Sequence, residues 1–358
     1  MTALKKVWKK IKKANLLRTL AFTVCSILVA LIIGGAILLL LGYNPLEAYG
    51  LIFSKAIRDF DQVLRRATPL LMTALAVAVP LKAGMFNVGE GQLVAGAFAA
   101  ALIGANMHLP TGIHAVVAIL GAMVVGALLG LIPAVLKLKF NAPELVVAIM
   151  LNTVVVKLVE YLTLYPFRGH PLSPQTATVA DTAVIGKVLP NVQWTGSLLI
   201  AIASCFAVKF LLDRTNFGLE MKSAGLNQET SKFLGINVRT MAVAGMAIGG
   251  ALAAMGGAID VLGGKSSYYV GYYENYGFDG IAISYMANGN PILIIVMAII
   301  VAAFKIGVLT LERSMSISAY FNSALQGIII VMLVCPRIFS SAGDGLKKLL
   351  RRKEAAVK

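Results

Sequence analysis

Charge is scarce in this sequence. Asp, Glu, Lys and Arg together make up 13% of it, about half the share usual in soluble domains. With 58% apolar residues and a mean hydropathy of +0.83, the chain carries more apolar side chain than a soluble core of its 358 residues can bury. Cysteine and histidine are scarcer still, at three each. Cys25, Cys205 and Cys335 lie far apart in or beside apolar runs, and His108, His114 and His170 have no ligand spacing. Neither set forms a metal site or a disulfide framework.

A nucleotide-binding glycine loop is also missing. Gly264-Lys265-Ser266 ends like one but lacks the upstream glycine spacing. The chain is therefore not expected to hydrolyse ATP or to hold a cofactor of its own. No convergent His, Asp or Ser cluster points to a membrane-embedded enzyme. No series of intramembrane carboxylates offers proton coupling. Lys157 and Glu160, three apart, can neutralise each other on a helix, and Lys305 stands alone in an apolar run. These three are thin support for an ion-coupled secondary carrier, so a transporter of this composition needs energy from another subunit.

What is present is a series of apolar runs at bilayer length, about 20 residues. The fold class they predict is all-α: a polytopic membrane protein of about ten spans, some short or broken, in two pseudo-repeated halves. The spans are 20–41, 67–83, 92–107, 113–136, 144–165, 196–212, 241–262, 278–288, 291–309 and 316–334. The run 278–288 is too short to cross alone. The first run exceeds a signal-peptide core and reads as a retained helix. The domains that follow are a basic segment 1–19, a membrane domain 20–335 with a polar segment 213–240, and a basic tail 336–358.

The net charge of +16 sits mostly at the two ends. Basic clusters flanking apolar spans mark the cytoplasmic side and suit anionic lipids. An even span count then puts both termini inside, together with 213–240, and puts the loops 42–66, 166–195 and 263–277 outside. Lys55, Arg58, Arg65 and Arg66 fit that assignment least well. Nucleic acid is excluded as a partner, since no basic and aromatic surface of useful size is left. Tyr268, Tyr269, Tyr272, Tyr273 and Tyr276 read as an interfacial aromatic belt, with a solute-receiving mouth as the alternative. Gly126 and Gly130, and Gly245 and Gly249, sit four apart and read as close helix packing.

Three segments depart from plain lipid-soluble helix. Gly84-Met85-Phe86-Asn87-Val88-Gly89-Glu90-Gly91-Gln92 joins two apolar runs. Tyr276-Gly277-Phe278-Asp279-Gly280 leads through a short run to Asn288-Gly289-Asn290-Pro291. Such breaks at membrane depth are tolerated where they line a wet cavity, and they often mark a path; a tight turn at the membrane face is the alternative for the first. The third segment, Asn216 to Arg239, is amphipathic and suits either a groove on a soluble partner or the headgroup layer.

These segments resemble the permeases for nucleosides and simple sugars in ATP-binding cassette (ABC) importers, and most closely the branch carrying purine nucleosides in Gram-positive bacteria. The resemblance rests on Gly84–Gln92, on Thr215-Asn216-Phe217-Gly218 through Gly225-Leu226-Asn227 and Gly235-Ile236-Asn237-Val238, on Gly277-Phe278-Asp279-Gly280-Ile281-Ala282 with Asn290-Pro291, and on Gln326-Gly327-Ile328-Ile329. It covers about residues 67–335 in the family's order. Two departures are Lys222-Ser223-Ala224-Gly225, where the family usually has Arg-Ala-x-Gly, and a first knot one residue short.

The resemblance implies an importer working by alternating access in a bacterial plasma membrane. Its partners would be cytoplasmic ATPases that bind the ATP, a second and often different permease chain, and an extracellular solute-binding lipoprotein. It puts Phe86, Asn87, Glu90, Gln92, Phe278, Asp279, Asn288 and Asn290 along the solute path. It puts Glu220, Lys222, Gly225, Asn227 and Gly235 in the segment that couples to the ATPase. A simple sugar or a flavin-like solute remains the alternative cargo.

Overall fold

The computed structural model describes residues 43–186 and 195–315, with isolated positions at 32–39 and at 327. The expected first and tenth spans, the two basic tails, Cys25, Cys335 and the motif at Gln326–Ile329 lie wholly or almost wholly outside these residues. Apart from one two-stranded hairpin, the described elements are helical. They are α1 (Pro45–Arg58), α2 (Phe60–Lys82), α3 (Glu90–Asn106), α4 (Ile113–Phe140), α5 (Glu144–Leu164), β1 (Arg168–His170), β2 (Ser173–Thr176), α6 (Gly196–Arg214), α7 (Asn216–Leu226), α8 (Gln228–Phe233), α9 (Val238–Asp260), α10 (Tyr276–Met286) and α11 (Pro291–Met315). A 3-10 turn at Asp181–Ala183 and a π-turn at Val261–Lys265 complete them.

Among the described residues, six helices are long and apolar enough to cross a membrane: α2, α4, α5, α6, α9 with its π-turn, and α11. The chain is thus an all-α, multi-pass membrane protein. Burial sorts these helices into layers. In α2, 83% of the most apolar stretch is buried, against 17% in α5. Helices α2 and α9 form the centre of the bundle, while α4, α5 and α6 turn apolar faces outward, as lipid-facing helices do.

One sequence expectation needs correction. The stretch 42–66 was expected to be a loop because of its charges, yet it holds α1 and the first turn and more of α2. Pro45 occupies the first turn of α1, where its missing N–H costs nothing. Asp61 sits in the first turn of α2, where a carboxylate suits the helix dipole. These charges serve helix ends rather than interrupting helices.

The glycine spacings work as packing. A Cβ at Gly250 of α9 would lie 2.1 Å from the Gly126 carbonyl oxygen of α4, and one at Gly130 would lie 2.4 Å from the Met246 carbonyl. The two helices therefore cross backbone to backbone, which only glycine permits. At Gly257 a Cβ would lie 2.1 Å from the Leu93 carbonyl of α3, so α9 is held as closely on a second side.

The chain divides into two compact units. Ala56–Ile306 forms one, and Met1–Lys55 with Gly307–Lys358 forms the other. Within the second, Gly307 lies against Ile52, where a Cβ would come within 2.9 Å of the backbone. The residues of the candidate site belong to the first unit.

Candidate functional site

The first knot begins where α2 stops. Pro80 accepts the Ala83 and Met85 amides (2.8 and 3.0 Å), and Gly84 turns the chain at φ +73°. Residues 85–88 then follow no regular secondary structure until Gly89, left-handed at φ +82°, starts α3. The stretch climbs into the bundle: Asn87 Nδ2 donates to the Ala76 carbonyl of α2 (3.3 Å), and Gly89 lies beside Ala76 and Ala253. Gln92 donates to Asn87 Oδ1 (3.3 Å), and both are buried. The Gly91 amide donates to Asn152 Oδ1 of α5 (2.8 Å). Phe86 is half-buried. Asn87 and Gln92 thus brace the knot from behind, and Glu90 is its forward edge.

The second knot stands directly against the first. Asn275, left-handed at φ +67°, starts α10, and the Gly277 amide donates to Glu90 Oε2 (3.2 Å). Gly280 packs on the Thr73 backbone of α2. Asp279 is buried and ion-paired with Lys305 of α11, itself buried. The Lys305 ammonium also lies 4.5 Å from the Tyr276 ring centre. Helix α10 ends at Met286, and Asn288, exposed and left-handed at φ +50°, follows it. Asn290 Oδ1 then accepts the Ile292 amide (3.1 Å), starting α11. Lys82 Nζ reaches the Asn288 carbonyl (3.4 Å). The knots therefore meet at both ends of α10.

A cleft of about 410 Å³ opens beside Glu90 and Phe278. Its walls are Asn152, Thr153, Lys157 and Glu160 of α5, Val94 of α3, and the loop residues Tyr268, Val270, Gly271, Tyr273, Glu274 and Asn275. Lys157 and Glu160 pair with each other (2.8 Å), as their spacing anticipated.

The tyrosines depart from the belt expectation. Tyr268, Tyr273 and Tyr276 are buried and pack edge-on or stacked with one another and with Phe98; Tyr268 and Tyr273 form a wall of the cleft. Tyr273 donates to buried Asp260 Oδ2 (2.8 Å). Burial, with the Asp260 charge adding, pushes the Tyr272 hydroxyl up to about 12 and the Tyr273 hydroxyl well above its ordinary range. Both stay neutral at physiological pH.

The reason they are covered lies in the preceding loop. The hairpin β1–β2 and the residues after it knit onto the tyrosine loop: Thr176 N donates to the Tyr268 carbonyl (3.0 Å), Val270 N to Pro174 (3.0 Å) and Val179 N to Ser266 (2.7 Å). His114 is held by Thr182 Oγ1 (2.8 Å) and the Ile103 carbonyl (3.1 Å), a satisfied structural histidine.

At the other end of the bundle lies the segment 213–240. Thr215, Asn227 and Asn237 cap α7, α8 and α9 by accepting the Gly218, Thr230 and Thr240 amides, each at 3.1 Å. Lys222 pairs with Asp213 (2.5 Å), which also holds Lys209 (3.2 Å). Met221 and Ala224 face inward, Glu220 is half-buried, and Gly235 turns the chain at φ +80°. Leu219, Leu226, Phe233 and Leu234 are exposed, which presents an unpartnered apolar surface. Gly225 abuts the first knot: a Cβ there would lie 2.3 Å from the Lys82 carbonyl and 2.8 Å from Gly84 N.

Sequence reasoning brought Glu90 and Phe278 to the cleft, but not its other walls. Asn152 and Asp260 were legible as polar residues inside apolar spans. Tyr268 and Tyr273 were noticed and given another place. Lys82 carried no signal beyond ending a span.

The family described as "Branched-chain amino acid transport system / permease component" matches residues 60–334. The chain belongs to this family. It is an ABC-importer permease, a kind of subunit that is not itself an enzyme. It is similar to the glucose ABC transporter permease protein TsgB13 of Haloferax volcanii, 30% identical over 90% of this chain and 89% of the relative. It is also similar to the guanosine ABC transporter permease protein NupP of Bacillus subtilis, 27% identical over 86% and 90%. The nucleoside ABC transporter permease protein NupB of Lactococcus lactis is 27% identical over 82% and 85%. No solved structure matches the chain.

Proposed function

We propose that this permease carries a nucleoside, a purine nucleoside in particular, inward by alternating access driven by separate ATPase subunits. The observation that carries the reading is the cleft. Its aromatic side chains Tyr268, Tyr273 and Phe278 stand with Glu90, Asn152 and Glu160 around about 410 Å³. That is the size class of a small-molecule site. Aromatic faces suit a base, and carboxylates accept from ribose hydroxyls. The names of NupP and NupB support the same solute class. TsgB13 favours a second reading, a simple sugar, for which the carboxylates would serve and the aromatic wall would be less fully used.

In this reading the path runs from the cleft past Glu90, Gln92, Asn87 and Phe86, and past Phe278 and Asp279 toward Asn288 and Asn290. The segment 213–240 is cytoplasmic and docks on an ABC ATPase through Leu219, Leu226 and Phe233, with Glu220, Lys222, Gly225, Asn227 and Gly235 shaping it. A second permease chain completes the pore, and an extracellular lipoprotein delivers the solute to the hairpin and tyrosine loops. ATP is bound by the partners, and this chain holds no cofactor. The segments 20–41 and 316–334, with α3 and α10, bring the six long helices to ten spans in two pseudo-repeated halves. The basic segments 1–19 and 336–358 then lie in the cytoplasm of a bacterial plasma membrane.

The test is uptake by the assembled importer in proteoliposomes with radiolabelled guanosine and glucose. ATP-dependent guanosine uptake, not displaced by excess glucose, is the expected result. Glucose uptake that guanosine leaves untouched would replace the nucleoside with a sugar.

A further inference from the structure

Helix α10 is only 11 residues long, and the first knot holds it at both ends. At its N-terminus the Glu90 carboxylate accepts the Gly277 amide (3.2 Å). At its C-terminus the Lys82 ammonium reaches the Asn288 carbonyl (3.4 Å) and packs on Gly289. An anion at the start and a cation at the end both complement the helix dipole. Between the two holding groups the chain is irregular and is braced to α2 through Asn87.

Lys82 has a second neighbour. Its carbonyl, with the Gly84 amide, is the surface on which Gly225 of α7 rests with no room for a Cβ. A displacement of α7 along that contact moves the Lys82 backbone, and the Lys82 side chain ends on α10. The opposite end of α10 carries Asn275 and Phe278 into the cleft wall.

We propose that Lys82 is the positioning residue through which motion of the segment 216–233 is passed to α10, and thereby to the cleft. This rests on the reading of that segment as the ATPase-docking surface. Without the ammonium, α7 still presses on the backbone, but the C-terminal end of α10 is no longer tied to it.

The experiment uses the assembled importer, with its ATPase and partner subunits, in proteoliposomes. In Lys82→Met, ATP hydrolysis persists while solute carried per ATP falls about tenfold or more, in the range of ordinary coupling free energies. Lys82→Arg, which keeps the cation, restores most of the ratio. A wild-type ratio in Lys82→Met overturns the proposal, and so does an arginine variant as defective as the methionine one. A second measurement needs no solute. Hydrogen exchange of the α10 amides should change when a non-hydrolysable ATP analogue is added to the wild-type complex, and should not change in Lys82→Met. A wild-type α10 indifferent to nucleotide also overturns the proposal. If neither guanosine nor glucose is carried, the transport reading fails, and the exchange measurement still decides the role of Lys82.

Discussion

Lys305 and Asp279 show what a single pair of charges does in a chain with so few. Both are buried, on α11 and α10, and each satisfies the other. Removing one partner strands the other charge away from water, which costs about 3–5 kcal/mol. Lys305→Met should therefore lower the thermal unfolding midpoint of the purified protein in detergent, and the double variant Lys305→Met with Asp279→Leu should recover much of the loss. If the single variant unfolds at the wild-type temperature, the pair contributes nothing to folding. Half of this pair was legible: Lys305 stands out as a cation in an apolar run. Its partner, 26 residues earlier, was not, because the pairing depends on how α10 rotates against α11, and no local pattern fixes that rotation. The same holds for Asn152, whose bond to the Gly91 amide joins two helices through one buried side-chain oxygen.

Among elements, the crossing of α4 and α9 is the contact most sensitive to added atoms. A Cβ at Gly126 would lie 2.3 Å from the Gly250 carbonyl, so any side chain drives the helices apart and opens voids along both. Gly126→Leu should reduce the folded, membrane-inserted yield by an order of magnitude, in line with overpacking costs of about 1–3 kcal/mol or more. Gly50→Ala in α1, where nothing lies within 4 Å, is the control and should be neutral. Fluorescence-detected size-exclusion of both variants distinguishes the cases, and equal profiles would remove the glycine crossing as a structural requirement. Here the sequence was informative, because small residues four apart depend only on helix geometry. The loop 42–66 misled for the converse reason. Charges near a membrane end suit a loop and a helix terminus equally, and the Pro45 start and the run beyond Asp59 decided for helix.

For the whole molecule, the scarcity of charge noted at the outset has a transport consequence. Apart from the paired Lys157–Glu160 and Lys305–Asp279, the transmembrane charges described here offer little to couple to an ion gradient. Purified and reconstituted without its partners, the chain should give no uptake of guanosine or glucose above the lipid blank, with or without a proton or sodium gradient. Gradient-driven accumulation by the chain alone would mark it as a secondary carrier. The order of the described long helices, the two knots and the polar segment 213–240 were readable because each leaves a local trace in glycines, prolines and polarity. The cleft was not, since its walls come from α3, α5 and a loop that folds back only when a distant hairpin bonds to it.

The first knot starts α3 at mid-bundle, beside Ala76 and Ala253, and α10 occupies the remaining depth toward Lys82. An 11-residue helix rises about 16 Å, roughly half of the ~30 Å hydrocarbon layer. On the path proposed above, a solute resting against Glu90 has already passed about half the insulating thickness. What the importer then opens and reseals in each turnover is a thin septum rather than a full-length channel. Small motions suffice for that, and small errors in sealing it would be costly to the cell's ion gradients.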